Sequence, residues 1–169
     1  MTADTTIRPM RMSDIEELVA LVRDHALYER AAPLRSDLEA ALVETLFGPE
    51  PRMHVLVAVD RGALVGYASW AMEVSTWGAA EYLHLDCLYV QKQARGRGIG
   101  HDLIRAIRKG AREAGVVEMQ WQTPEWNDGA IRFYQRFGAR SAAKMRFTLA
   151  IAQGTDSELD VDRVQDLLR

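Results

Sequence analysis

The sequence predicts a mixed α/β fold with a mostly antiparallel central sheet flanked by helices. Three observations carry that expectation. Strand-like runs at Met53–Val59, Ala63–Val74 and Glu81–Val90 are rich in β-branched and aromatic residues and are separated by turn sequences, which reads as a meander. Next, Arg95-Gly96-Arg97-Gly98-Ile99-Gly100 opens a segment whose Ile99, Leu103, Ile104, Ile107, Ala111 and Ala114 recur at helical spacing. A further strand-like run, Val116–Thr123, follows that helix, and the right-handed crossover rule makes it parallel to Glu81–Val90 if the two share a sheet.

Taken in order, Thr6–Arg8 reads as a short opening strand ended by Pro9. Ser13-x-x-Glu16 has the form of a capping box for a helix carrying Ile15, Leu18, Val19, Val22 and Ala26, which frays near Tyr28-Glu29. Ser36-x-x-Glu39 opens a second helix through about Phe47, closed by Gly48-Pro49. The segment between the helices reads equally as the frame of a substrate entrance or as a surface connector. Asp60-Arg61-Gly62 is the hairpin turn between the first two meander strands, and Ser75–Ala80 turns the chain into the third. Gly115 ends the helix after the glycine loop, and Asn127 caps a short helix that ends at Gly138. Lys144–Ile151 suggests a last strand, and Val161–Leu168 a short terminal helix.

The chain of 169 residues, 48% hydrophobic and 27% charged, fits one domain over 1–169, with a core at about 5–151 and a tail at 152–169. A single cysteine leaves no internal disulfide framework and no cysteine zinc cluster, which points to a reducing cytoplasm. Met1–Thr6 has no signal-peptide character and no stretch reaches the roughly 20 apolar residues that cross a bilayer, so the expectation is a protein without a membrane partner. The net charge of −3 argues against nucleic acid as partner and suits a cationic small substrate. The spacing of His25, His54 and His101 gives no metal site.

The glycine loop carries the most specific chemistry. Glycines on alternate positions let backbone approach a ligand, and the first N–H groups of the following helix have no partner one turn back. With the helix dipole and the guanidiniums of Arg95 and Arg97 beside them, they form a cradle for a pyrophosphate. A P-loop would require Gly-Lys-Ser/Thr, whereas Gly100 precedes His101-Asp102, and a dinucleotide fold would require a third glycine where His101 stands.

Arg95-x-x-Gly98-x-Gly100 at a strand-to-helix junction instead resembles the Gln/Arg-x-x-Gly-x-Gly/Ala signature of the GNAT superfamily of N-acetyltransferases, whose element order also matches through about residue 151. The resemblance implies acetyl-CoA as co-substrate, held by Arg95, Gly96, Arg97, Gly98, Ile99, Gly100 and His101. It further implies that the strand ending at Val90 splays from the strand at Val116–Thr123, freeing backbone groups near Leu88 and Val90 for the pantetheine arm. Asp86, just before that point, is the candidate base for the amine; the competing reading is a carboxylate that only pairs with a cation. Asp86 faces the substrate side if Leu85 and Cys87 face the helices, and His84 alternates onto its face. Tyr134 is the candidate acid for the leaving thiolate, against a core tyrosine. A covalent route through Cys87 lacks an activating pair.

Within the superfamily the chain is similar to the spermidine/spermine, diamine and thialysine acetyltransferase group. Ile7-Arg8-Pro9, Tyr28-Glu29, Thr76-Trp77, Tyr82-Leu83 through Val90, the glycine loop, Glu125-Trp126-Asn127 and Phe133-Tyr134 with Gly138-Ala139 carry that similarity. It implies that Asp86 stands at the group's catalytic glutamate, Tyr134 at its general acid, Asn127 against the cofactor, and Glu29, Trp77, His84, Asp86 and Glu125 about the amine. Three departures stand out: aspartate replaces glutamate at 86, Cys87 replaces a second acid, and Arg30-Ala31-Ala32-Pro33 lacks the acidic cluster that a long polycation would need. The expectation is therefore a homodimeric enzyme acetylating a primary amine of a small molecule by direct attack. A non-catalytic acyl-CoA sensor and a protein lysine or N-terminal acetyltransferase are the alternatives.

Overall fold

A computed structural model describes residues 5–31 and 33–149. The elements are β1 (Thr6–Pro9), a 3-10 turn at Met12–Asp14, α1 (Ile15–Glu29), α2 (Leu38–Phe47), β2 (His54–Asp60), β3 (Ala63–Ser75), β4 (Ala80–Val90), a 3-10 turn at Lys92–Ala94, α3 (Ile99–Glu113), β5 (Met119–Gln120) and α4 (Asp128–Arg136). The chain divides into two compact units, Met1–Ala130 and Ile131–Arg169.

In the first unit five strands form one sheet in the order β1-β2-β3-β4-β5, antiparallel except for the parallel β4–β5 pair. The expected meander and crossover are both there. Arg61 and Gly62 alone join β2 to β3, with φ of 52° and 87°, the doubly left-handed turn that matches strand twist. β5 is much shorter than Val116–Thr123, pairing only Met119 with Leu83 and Gln120 with His84.

Two cores lie on the two sheet faces. Leu18 and Leu21 of α1 and Leu46 of α2 pack on Val55, Val57, Leu64, Tyr67 and Tyr89. On the other face Ile99, Leu103 and Ile107 of α3 pack on Ala58, Ala68, Leu83 and Leu85. The buried stripe of α1 runs through Leu18, Leu21 and His25, so Leu21 and His25 take the place that periodicity assigned to Ala26.

The helix ends follow their sequence signals in part. α3 closes with Gly115 N–H donating to Arg112 O and Val116 N–H to Ala111 O, the paired bonds of a Schellman ending. Asn127 Oδ1 accepts from Ala130 N–H at 3.2 Å, the expected cap of α4. At α1 the Ser13 box is replaced by Asp14, whose carboxylate accepts from Arg11 N–H at 2.7 Å and pairs with Arg8 at 2.6 Å. A charged acceptor beside an arginine binds more strongly than a hydroxyl, and the 3-10 turn moves the helix start past Ser13.

In the second unit α4 continues through Arg136, with Phe133 ring-packed on Tyr134 and on Phe137, each at 5.2 Å between centroids. Lys144–Leu149 is not a strand; the remainder of that expected strand and the expected helix at Val161–Leu168 lie outside the described residues.

Candidate active site

Asp86 owes its position to a bulge. Ser69 pairs with Cys87 and Trp70 with Leu85, which leaves Asp86 as the extra residue on β4. The extra residue reverses the side-chain alternation: Leu83 and Leu85 pack toward α3, whereas Cys87 and Tyr89 pack on the α1 side and Leu88 and Val90 on the α3 side. Leu85 and Cys87 therefore do not share a face, contrary to the expectation. Asp86 and Cys87 stand side by side instead, with the Asp86 carboxylate accepting from Cys87 Sγ and Ser69 Oγ, each at 3.5 Å.

Beyond His84, β4 has no strand partner on its β5 side among the described residues, so the backbone from Leu85 to Val90 forms an open edge. That edge leads into the glycine loop. Gly98 takes φ 84°, a conformation that a side chain would strain, and no side chain caps α3. A Cβ at Gly96 or Gly98 would meet nothing within 4 Å, so open space lies over the loop at the positive end of the helix. These features fit a diphosphate.

The guanidiniums are engaged by protein groups. Arg95 Nε donates to Val90 O at 2.8 Å, with its Cζ 4.6 Å from the Tyr28 ring centroid and 5.7 Å from that of Tyr89. Arg97 pairs with Asp60 at 2.8 Å and donates to Thr5 at 3.3 Å. The Ile99 side chain lies in the core, so its backbone alone faces the cradle. His101 lies 3.6 Å from Asp102.

A second cluster surrounds the C-terminal end of α1. His25, buried between Tyr67 and Tyr89, has Nδ1 2.9 Å from the Tyr67 hydroxyl and Nε2 3.5 Å from Glu29. Burial lowers the His25 pKa, with Glu29 acting against it. Burial raises those of Tyr67 and Cys87, and the thiol, beside the Asp86 charge, is pushed up to about 12. Tyr28 donates to Asn127 Oδ1 at 3.3 Å and meets Trp126 edge-on, while Arg30 lies 5.1 Å over the Trp126 ring. Glu125 is exposed in the turn before Asn127.

Of two further predicted residues, His84 is engaged by another carboxylate and Trp77 lies at the far end of β4. His84 pairs with Glu73 at 3.0 Å, and Glu73 also accepts from Tyr82. Trp77 sits in the β3–β4 turn, 96% exposed, and Asp86 lies six residues along β4 from Ala80, about 20 Å away. Among the described residues no group of His, Cys, Asp and Glu could hold a metal ion, and no helix is long and apolar enough to cross a membrane.

Residues 17–139 match the acetyltransferase (GNAT) family. The chain belongs to the GNAT acetyltransferase family. It is 32% identical over 146 residues to the mouse thialysine N-epsilon-acetyltransferase, covering 82% of this chain and 85% of that one. It is 39% identical over 85 residues to the blasticidin-S acetyltransferase of Streptomyces morookaense, covering 50% and 54%. Its fold matches that of an aminoglycoside N-acetyltransferase in complex with CoA at a TM-score of 0.74 and 19% identity, over 90% and 98% of the two chains.

Tyr134 of this GNAT enzyme is half-buried on α4 in the second unit. The residues that sequence reasoning missed are His25, Tyr67 and Ser69 around Asp86. His25 and Glu29, four apart on one helix face, were the available signal; nothing local links them to β3.

Proposed function

We propose that this enzyme transfers the acetyl group of acetyl-CoA to a primary amine of a small, amino-acid-like molecule by direct attack in a ternary complex. The observation that carries the reading is the β4 bulge: it sets the Asp86 carboxylate where a strand edge opens toward an uncapped helix N-terminus. Leu88 and Val90 offer backbone groups along that edge to the pantetheine arm, and Gly96, Gly98, Ile99, Gly100 and His101, with Arg95 and Arg97, receive the diphosphate. Asn127 completes the cofactor side. We read 1–169 as one catalytic domain.

An alkyl amine with a pKa near 10 is mostly protonated at neutral pH and must lose a proton to become a nucleophile. Asp86 accepts that proton directly or through a water. The N–C bond forms as the C–S bond breaks, the Tyr134 hydroxyl gives its proton to the departing thiolate, and the extra proton left on the acylated nitrogen passes to solvent, from which Tyr134 is reprotonated. Glu29 attracts the acceptor's cation, with Asp86 and Glu125 as further acidic groups of the amine site; His84 and Trp77 are weaker members of that set, given their engagement and exposure.

The similarity to thialysine acetyltransferases favours a lysine-like acceptor. Arg30 beside Glu29, turned over Trp126, disfavours a long polycation. A homodimer in the cytoplasm, without nucleic acid or membrane, is the expected setting.

The test is acetyl-CoA-dependent thiol release with thialysine, lysine, ornithine, spermidine, an aminoglycoside and a lysine peptide. Turnover on an amino-acid amine, lost in Asp86→Ala and in Tyr134→Phe, supports the reading. Wild-type turnover in Tyr134→Phe removes its acid role. Tight CoA binding without turnover across the panel would favour a sensor, and turnover on the peptide alone a protein acetyltransferase.

A further inference from the structure

Two glycines in the left-handed region flank Arg97: Gly96 has φ 76° and Gly98 φ 84°. Glycine has more conformational freedom to lose than any other residue, and the stretch from Arg95 to Gly98 belongs to no helix or strand. Among the described residues no backbone carbonyl accepts from the N–H of Gly96, Arg97 or Gly98. These groups are available to a ligand, but no backbone bond fixes their direction.

The Arg97 side chain supplies the missing restraint. Its Nη1 donates to Asp60 Oδ2 at 2.8 Å and its Nη2 to Thr5 Oγ1 at 3.3 Å. Both partners stand at one end of the sheet. β1 and β2 pair Thr6 with Val59, which brings Thr5 beside Asp60, the last residue of β2. The loop between β4 and α3 is thus tied to two strands on the far side of β3.

Asp60 is committed to this contact. Its side chain is 12% exposed, and Oδ1 is shut off from solvent with no hydrogen-bond partner among the described residues. A carboxylate so placed is costly without a cation, and Arg97 provides one.

Electrostatics alone would argue against an acid here. A carboxylate near a diphosphate repels it, and this one also occupies an arginine that could otherwise pair with a phosphate. A tethering role accounts for both costs.

We propose that Asp60 is a positioning residue for the acetyl donor: by holding the Arg97 guanidinium against the end of β2, it fixes the Gly96–Gly98 backbone in the conformation that receives the diphosphate. Arg97 then enters the cradle through its backbone, its charge being spent on Asp60. The inference rests on the reading of the glycine loop as the acetyl-CoA cradle.

The experiment compares Asp60→Ala, Asp60→Asn, Arg97→Ala and the Asp60→Ala/Arg97→Ala double variant with the wild-type enzyme. It measures CoA affinity by calorimetry, and kcat and KM with acetyl-CoA and with S-acetylpantetheine, a donor that lacks the diphosphate. Asp60→Ala is expected to weaken CoA binding roughly tenfold, as for one lost charge-assisted bond. KM for acetyl-CoA should rise with it while kcat changes less than about twofold, and kcat/KM for S-acetylpantetheine should stay within about twofold. Arg97→Ala should lose as much, and the double variant no more than the larger single loss. Asp60→Asn keeps the shape and an oxygen for Arg97, so it should weaken binding only about two- to threefold.

The opposite sign would overturn the proposal: CoA bound as tightly as by the wild type, or more tightly, in Asp60→Ala and Asp60→Asn. So would an equal loss on both donors, which marks a merely structural residue, or additive losses in the double variant, which mark a direct phosphate contact by Arg97. A wild-type enzyme that neither binds CoA nor turns over acetyl-CoA would overturn the cradle reading and this proposal with it.

Discussion

The guanidinium of Arg95 lies across the ring of Tyr28, Cζ to centroid 4.6 Å, while its Nε donates to Val90 O at 2.8 Å. One side chain thus joins the end of β4, the glycine loop and the end of α1. Tyr28 extends the connection to Asn127 through a hydroxyl donating at 3.3 Å.

On the proposed binding mode, Arg95→Ala should weaken acetyl-CoA binding roughly tenfold by removing a phosphate partner, and should loosen the junction by a cation–π contact worth about 1 kcal/mol at an exposed site. Arg95→Lys should recover only part of the loss, because an ammonium lacks the planar stacking face. Titration calorimetry measures both; a lysine variant equal to wild type would show that charge alone matters.

Cys87 should form no covalent bond to the acetyl group. With its thiol pushed up to about 12 by burial and by the Asp86 charge, it is almost entirely protonated at neutral pH. Intact mass spectrometry after incubation with acetyl-CoA and no acceptor should find no acetylated protein. Native thiol labelling should run at least roughly a hundredfold slower than in urea. An acetyl group on Cys87 would count against direct attack.

His25 makes stability depend on pH. Its folded pKa lies below the unfolded value of 6.5, so the unfolded chain binds more protons between the two. Its contribution is fully present above 6.5 and is lost as pH falls from 6.5 toward the folded value. The urea midpoint should drop from pH 7.5 to pH 5.5, and His25→Gln should flatten that drop. An unchanged slope in the variant would place the dependence elsewhere.

Two glycines should respond oppositely to alanine. At Gly48, whose φ of −64° suits any residue, an added Cβ would lie 2.4 Å from Glu44 O, so Gly48→Ala should cost about 1–3 kcal/mol through a forced backbone shift. Within α3 a Cβ at Gly110 meets nothing within 4 Å, and Gly110→Ala should stabilise by about 0.5–1 kcal/mol. Urea unfolding of the two variants gives both signs.

The legible features were local ones. The Arg61-Gly62 turn, the Gly115 ending, the Asn127 cap and the period of α3 each depend on a few consecutive residues, and each is found where the pattern placed it. The Ser13 cap failed because Asp14 has an arginine on β1 to pair with, six residues back. The short β5 escaped because strand propensity over Val116–Thr123 does not reveal where a partner strand stops pairing.

By itself the sequence determined the α/β class, the element order through α4 and the glycine loop between β4 and α3, because propensity, periodicity and turn preference act over one helical turn or one hairpin. Only the tertiary structure decided that Asp86 is a bulge residue and that Cys87 turns to its side of the sheet. It alone brought His25, forty-two residues before Tyr67, within 2.9 Å of that hydroxyl. Register and cross-sheet contacts are chosen by how whole faces bury together, and no short stretch of chain contains that information.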